Sequence, residues 1–89
     1  MIRIHNKSTY NRLYNSYSKD FIDSFVQNKI SGFSTAEALE SGKMAVQVRV
    51  SLEITMNSPN KLTAIKVYNN IKKDSELIER AIKYYQGMK

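Results

Sequence analysis

The chain has no cysteine and no tryptophan, one proline, three glycines and one histidine. Without cysteine there is no disulfide framework, no thiolate metal centre and no cysteine nucleophile. His5 alone cannot build a histidine-rich metal site, and any Ser-His-Asp triad would have to run through it. Neither Gly-x-x-x-x-Gly-Lys nor Gly-x-Gly-x-x-Gly occurs, so a phosphate loop is excluded. No metal, cofactor or catalytic residue is assigned on these grounds. No apolar run approaches the ~18 residues that cross a bilayer. Met1–Asn6 lacks the apolar core of a signal peptide. The expectation is a cytoplasmic protein with no membrane partner, in the host cytoplasm if a bacteriophage encodes it.

What the chain does have is positive charge. The 89 residues carry 14 lysines and arginines against eight acids, for a net charge of +6. The excess is uneven. Residues 1–30 hold five basic and two acidic groups, residues 31–56 two and three, and residues 57–89 seven and three. A basic surface attracts polyanions, so RNA, DNA or an acidic protein is the expected partner class, with RNA favoured. The many asparagines, lysines, isoleucines and tyrosines suggest an AT-rich coding genome of the kind that yields small bacteriophage accessory proteins. At this length one domain is expected (1–89). Such a chain buries roughly 60–65% of its unfolded surface, so a homodimer would help to stabilise it.

Periodicity sets the expected architecture. From Met44 to Met56 apolar and polar residues alternate without a break, with Met44, Val46, Val48, Val50, Leu52, Ile54 and Met56 in phase. Period two predicts one long strand with a buried face and a wet face. Met1–His5 reads as a short strand, and 62–68, rich in β-branched residues, as a strand returning from the Asn57–Lys61 turn. The alternative for 62–68 is a helix capped by Ser58 with Pro59 in its first turn. Residues 9–30 read as a helix with a stripe of Tyr10, Leu13, Tyr14, Tyr17, Phe21 and Phe25, ending at Ser31-Gly32. Ser34-x-x-Glu37 is a capping box for a short helix, 35–41, closed by Gly42. Asp74 or Ser75 caps a last helix, 75–86, buried along Ile78, Ala81, Ile82 and Tyr85. The fold class expected is α+β, in the order β-α-α-β-β-α, with helices on one face of a short antiparallel sheet.

That order resembles, in topology alone, the KH RNA-binding domain, whose backbone clamp is a Gly-x-x-Gly loop between the first two helices. Here the junction is Ser31-Gly32-Phe33-Ser34, with one glycine, so a clamp of that type is not implied. The order also resembles small basic RelE-like toxins, which implies a ribonuclease reading. In that reading His5, Lys7, Arg12, Tyr84 and Tyr85 are the candidates for proton transfer and phosphate stabilisation.

The reading favoured by charge is a non-catalytic nucleic-acid-binding protein of regulatory or phage-accessory type, with neutralisation of a host nuclease or toxin as one such role. Its phosphate contacts are assigned to Arg3, Lys7, Arg12, Lys61, Lys66, Lys72, Lys73 and Lys83, with Tyr84 as an aromatic neighbour. Tyr10, Tyr14 and Tyr17 are expected in the core rather than as a stacking platform. The second reading is an inhibitor docking on an acidic protein through the strand edge or the Tyr84/Tyr85 patch. The same edge would pair two copies.

Overall fold

The computed structural model describes the backbone of residues 2–88 and the side chains of residues 7–88. It contains four helices: α1 (Ile2–Ile30), α2 (Thr35–Thr55), α3 (Lys61–Lys72) and α4 (Ser75–Gly87). Among the described residues there is no strand. The fold is all-α, and the expected sheet, the β-α-α-β-β-α order and both topological resemblances are overturned with it.

α1 organises the molecule. At ~1.5 Å per residue its 29 residues span about 43 Å, close to the longest dimension of 46 Å. The expected stripe is its inner face. Leu13, Tyr17, Phe21, Phe25 and Val26 are buried, while Tyr10, Tyr14 and Ile22 pack partly buried against them. α2 lies along α1, α3 packs against both, and α4 packs on α1. The helix also takes in residues 2–5, which the sequence suggested as a strand.

α1 ends where glycine allows it. Gly32 sits at φ 96°, Phe33 N–H bonds to Asn28 O at 3.0 Å and Gly32 N–H to Lys29 O at 3.0 Å. That pair of bonds is a Schellman stop, and Gly32 adopts its left-handed residue without a Cβ penalty. The capping box forms as expected. Glu37 N–H donates to Ser34 Oγ at 3.2 Å, and Ser34 N–H to Glu37 Oε1 at 3.1 Å.

The helix begun there does not stop at Gly42. It runs through the predicted strand to Thr55, and Gly42 is buried at the point where α2 crosses α1. A Cβ built on Gly42 would lie 3.0 Å from the Phe21 ring and 3.1 Å from the Phe21 carbonyl oxygen. Gly42 is there for close approach rather than as a terminator. Along α2 the period-two apolar series divides by the helical period instead. Ala38, Gly42, Val46 and Val50, four apart, face the core. Met44, Val48, Leu52, Ile54 and Met56 are exposed. A single long strand without a neighbour leaves its amides and carbonyls unpaired, whereas the helix pairs them internally. Asn57, at φ 50°, ends α2 with a second Schellman arrangement, Ser58 N–H bonding to Glu53 O at 2.9 Å.

Residues 62–68 are also helical. Asn60, not Ser58, is the N-cap of α3, and Ala64, Val67 and Ile71 form its buried edge. Their spacing of three and four satisfies a helix, and this burial outweighs the β-branched bias of Ile65 and Val67. α4 matches the sequence reading to within a residue. Asp74 Oδ1 accepts from Leu77 N–H at 3.2 Å. Leu77, outside the expected stripe, is buried with Ala81, while Ile78, Ile82 and Tyr85 pack around them.

Candidate nucleic-acid interface

The helices divide the charge sharply. α1 carries five basic and two acidic residues, and α3 carries three lysines and no acid, with Lys73 following it. α2 carries two basic against three acidic residues, and α4 two against two. The two strongly basic helices are neighbours. Asn70 of α3 donates its amide to the Tyr10 hydroxyl of α1 at 2.6 Å, and Tyr10 stacks on Tyr14 with centroids 6.0 Å apart.

Between them lies an open groove of about 610 Å³ lined by Lys7, Tyr10, Leu62, Thr63, Lys66 and Asn70. Two ammonium groups, a phenol, a hydroxyl and an amide line it, and no carboxylate does. Lys66 has no acid three or four residues away on α3 to neutralise it. Lys61 stands in the first turn of α3, the end where a cation opposes the helix dipole, and donates to Asn57 Oδ1 at 2.6 Å. Lys72, in the last turn, stands 4.8 Å over the Tyr68 ring, and Lys73 is exposed beside it.

The other expected contacts lie elsewhere. Arg3 and His5 have side chains outside the described residues. Arg12 is exposed on α1, close enough to Tyr17 to influence its hydroxyl. Lys83 is exposed on α4, and Tyr84 lines a separate groove with Ser18, Lys19, Asp23 and Arg80. Tyr85 is partly buried, with the Lys29 ammonium 5.7 Å from its ring centre. Among the ribonuclease candidates with described side chains, Lys7, Tyr84 and Tyr85 are not brought together. Lys7 and Tyr84 line different grooves, and Tyr85 packs against the core. Tyr10, expected in the core, and Leu62, Thr63 and Asn70, not singled out in the sequence, complete the basic groove. Reading 61–72 as a helix would have found the last three, because residues 62, 63, 66 and 70 then fall on adjoining rows.

A second polar cluster is structural. Arg49 of α2 pairs with Asp20 of α1, donates to Ser16 Oγ at 3.2 Å and lies 5.2 Å from the Tyr17 ring centre. The Tyr17 hydroxyl is buried without a hydrogen-bond partner. Burial raises its pKa above the ordinary 10.0, Glu53 and Asp20 add to the rise, and Arg49 and Arg12 oppose it.

Among the described residues no group of three or more His, Cys, Asp or Glu side chains could hold a metal ion. No described helix is long and apolar enough to cross a membrane. No protein-family model matches the chain, and neither the curated proteins nor the solved structures contain a match.

Proposed function

We propose that this chain is a non-catalytic module that binds nucleic acid, RNA before DNA, through backbone phosphates on its α1–α3 face. The supporting observation is the acid-free groove that brings Lys7 and Lys66 together beside a helix carrying only positive charge. Helix stability accounts for Lys72, in the last turn over Tyr68, but not for Lys61 and Lys66. The lysines of α3 have no acidic partners on their own helix, and Lys61 opposes its dipole. Phosphate oxygens would supply the missing anions, and Tyr10 and Asn70 would flank the strand as aromatic and amide contacts. Such binding depends weakly on sequence and steeply on salt. The regulatory or phage-accessory role, including neutralisation of a nuclease or toxin, rests on composition alone.

The test is fluorescence anisotropy with labelled single-stranded RNA and duplex DNA over a salt series. Each phosphate contact contributes about 0.7 to the log–log slope on a single strand and about 0.9 on B-DNA. Lys7→Ala with Lys66→Ala should flatten the slope by roughly 1.4 on RNA, two contacts' worth. Lys83→Ala, on α4, should leave it nearly unchanged. Equal losses from both variants would reject the groove. Failure of the wild type to bind either polymer would turn the reading to an acidic protein partner.

A further inference from the structure

We infer that a second copy of this chain docks on the outer face of α2, in an antiparallel α2–α2 pair centred on Val48. This inference does not depend on the nucleic-acid reading. Five of the ten exposed large apolar side chains among the described residues belong to α2 and its C-cap: Met44, Val48, Leu52, Ile54 and Met56. Four of these are four residues apart, which places them on one slowly turning row. Met44, Val48 and Met56 are 61%, 59% and 72% exposed, high for thioether and branched side chains in a continuous row. Beside the row runs a groove of about 380 Å³ lined by Met44, Gln47, Val48, Ser51, Leu52 and Thr55, with no charged side chain. A contiguous apolar surface of this kind marks a protein contact.

Charge permits a like copy on this face, and the pattern of the row fits one. Each chain carries +6, so two copies repel across most of their surfaces. α2 is the one helix whose acids outnumber its bases, so it is the face on which two copies meet with the basic α1–α3 faces held apart. The pattern is also self-complementary. A two-fold axis at Val48 sets Met44 against Leu52 of the other copy and Val48 against itself, as an isologous interface requires. In that arrangement the exposed Glu37 and Glu40 of one copy approach the Met56–Lys61 end of the other, where Lys61 begins α3. The helix dipoles oppose each other favourably. The groove buries no formal charge in the pair, which avoids an uncompensated desolvation cost. The sequence reading also expected a homodimer, but through a strand edge that does not exist. The helix offers side-chain packing in its place.

Sedimentation equilibrium of the full chain over a micromolar-to-millimolar series tests this. The expected mass rises to twice 10.3 kDa. Val48→Asp should hold it at 10.3 kDa with the far-ultraviolet helical signal intact, since the side chain is exposed. Because the chain has no cysteine, introduced thiols report the register. Val48→Cys should cross-link to itself on oxidation. Met44→Cys should cross-link only when mixed with Leu52→Cys. Helices packed about 8–10 Å apart bring such Cα atoms within reach of a disulfide. A wild type that stays monomeric at every concentration overturns the inference. A dimer that survives Val48→Asp, or that cross-links through Met44→Cys alone, overturns this face and register.

Discussion

Val46 and Val48 are two residues apart, and the fold assigns them opposite fates. Val46 is 0% exposed between α2 and the core, whereas Val48 is 59% exposed. Val→Ala removes two methyl groups at either site and raises helix propensity by the same amount, about 0.6 kcal/mol. At Val46 the lost transfer energy is about 1.6 kcal/mol, at ~0.8 per carbon. The residual cavity adds up to about 1 kcal/mol. After the propensity gain, Val46→Ala should cost about 2 kcal/mol. At Val48 less than half of that transfer energy is at stake, and the propensity gain offsets it, so Val48→Ala should be neutral within about 0.5 kcal/mol. Urea titration followed by far-ultraviolet circular dichroism reads the difference. With m near 1 kcal/mol/M, the Val46→Ala midpoint should fall by roughly 2 M while that of Val48→Ala stays in place. The titration should be repeated at several protein concentrations, since association through Val48 would make its midpoint concentration-dependent. Equal losses at low concentration would refute the helix, because a strand with one buried face treats both valines alike.

Three further outcomes follow from particular contacts. Gly42→Ala gains about 1 kcal/mol of helix propensity but pushes a methyl group against the Phe21 ring and carbonyl, where overpacking costs about 1–3 kcal/mol, so a net loss of up to about 2 is expected in the same titration; a gain would show that Phe21 yields to the methyl group. Ser34→Ala should cost about 1 kcal/mol, read as a lowered urea midpoint, by removing the acceptor for Glu37 N–H. Tyr17→Phe removes a buried hydroxyl that has no partner and should stabilise the protein by roughly 1 kcal/mol at neutral pH. Because the folded-state pKa of Tyr17 is raised above 10.0, the unfolded chain releases this proton first. Its linkage contribution is complete below pH 10.0 and is lost as pH rises towards the folded value, so wild type should weaken faster than Tyr17→Phe above that point. Parallel stability–pH curves for the two proteins would contradict the assignment.

The parts of the fold that were legible are those where several local signals agree. In α1 the spacing of four that links Leu13, Tyr17, Phe21 and Phe25 coincides with a glycine stop. The Ser34–Glu37 box and the Asp74 cap are local chemistry and survive any tertiary arrangement. The α2 region misled because an unbroken alternation places apolar residues all round a helix, so nothing in it points to a single face. Its two buried valines, Val46 and Val50, are distinguishable from Val48 only once Gly42 fixes where α2 meets α1. Exposure of Met44 and Leu52 breaks the rule that apolar means inside, and such a breach is expected at a contact surface. The basic groove was half legible. Charge alone pointed to Lys7 and Lys66, but their meeting at Tyr10 and Asn70 depends on α3 being a helix.

The phosphate-binding claim is tested most directly by mapping, residue by residue, where an oligonucleotide touches the protein. Titrating single-stranded RNA, then duplex DNA, into nitrogen-labelled protein should move the amide signals of Lys7 and Tyr10 on α1 and of Leu62, Lys66 and Asn70 on α3, and the shifts should vanish at high salt. Shifts confined to α2 or α4, or none at all, would contradict it.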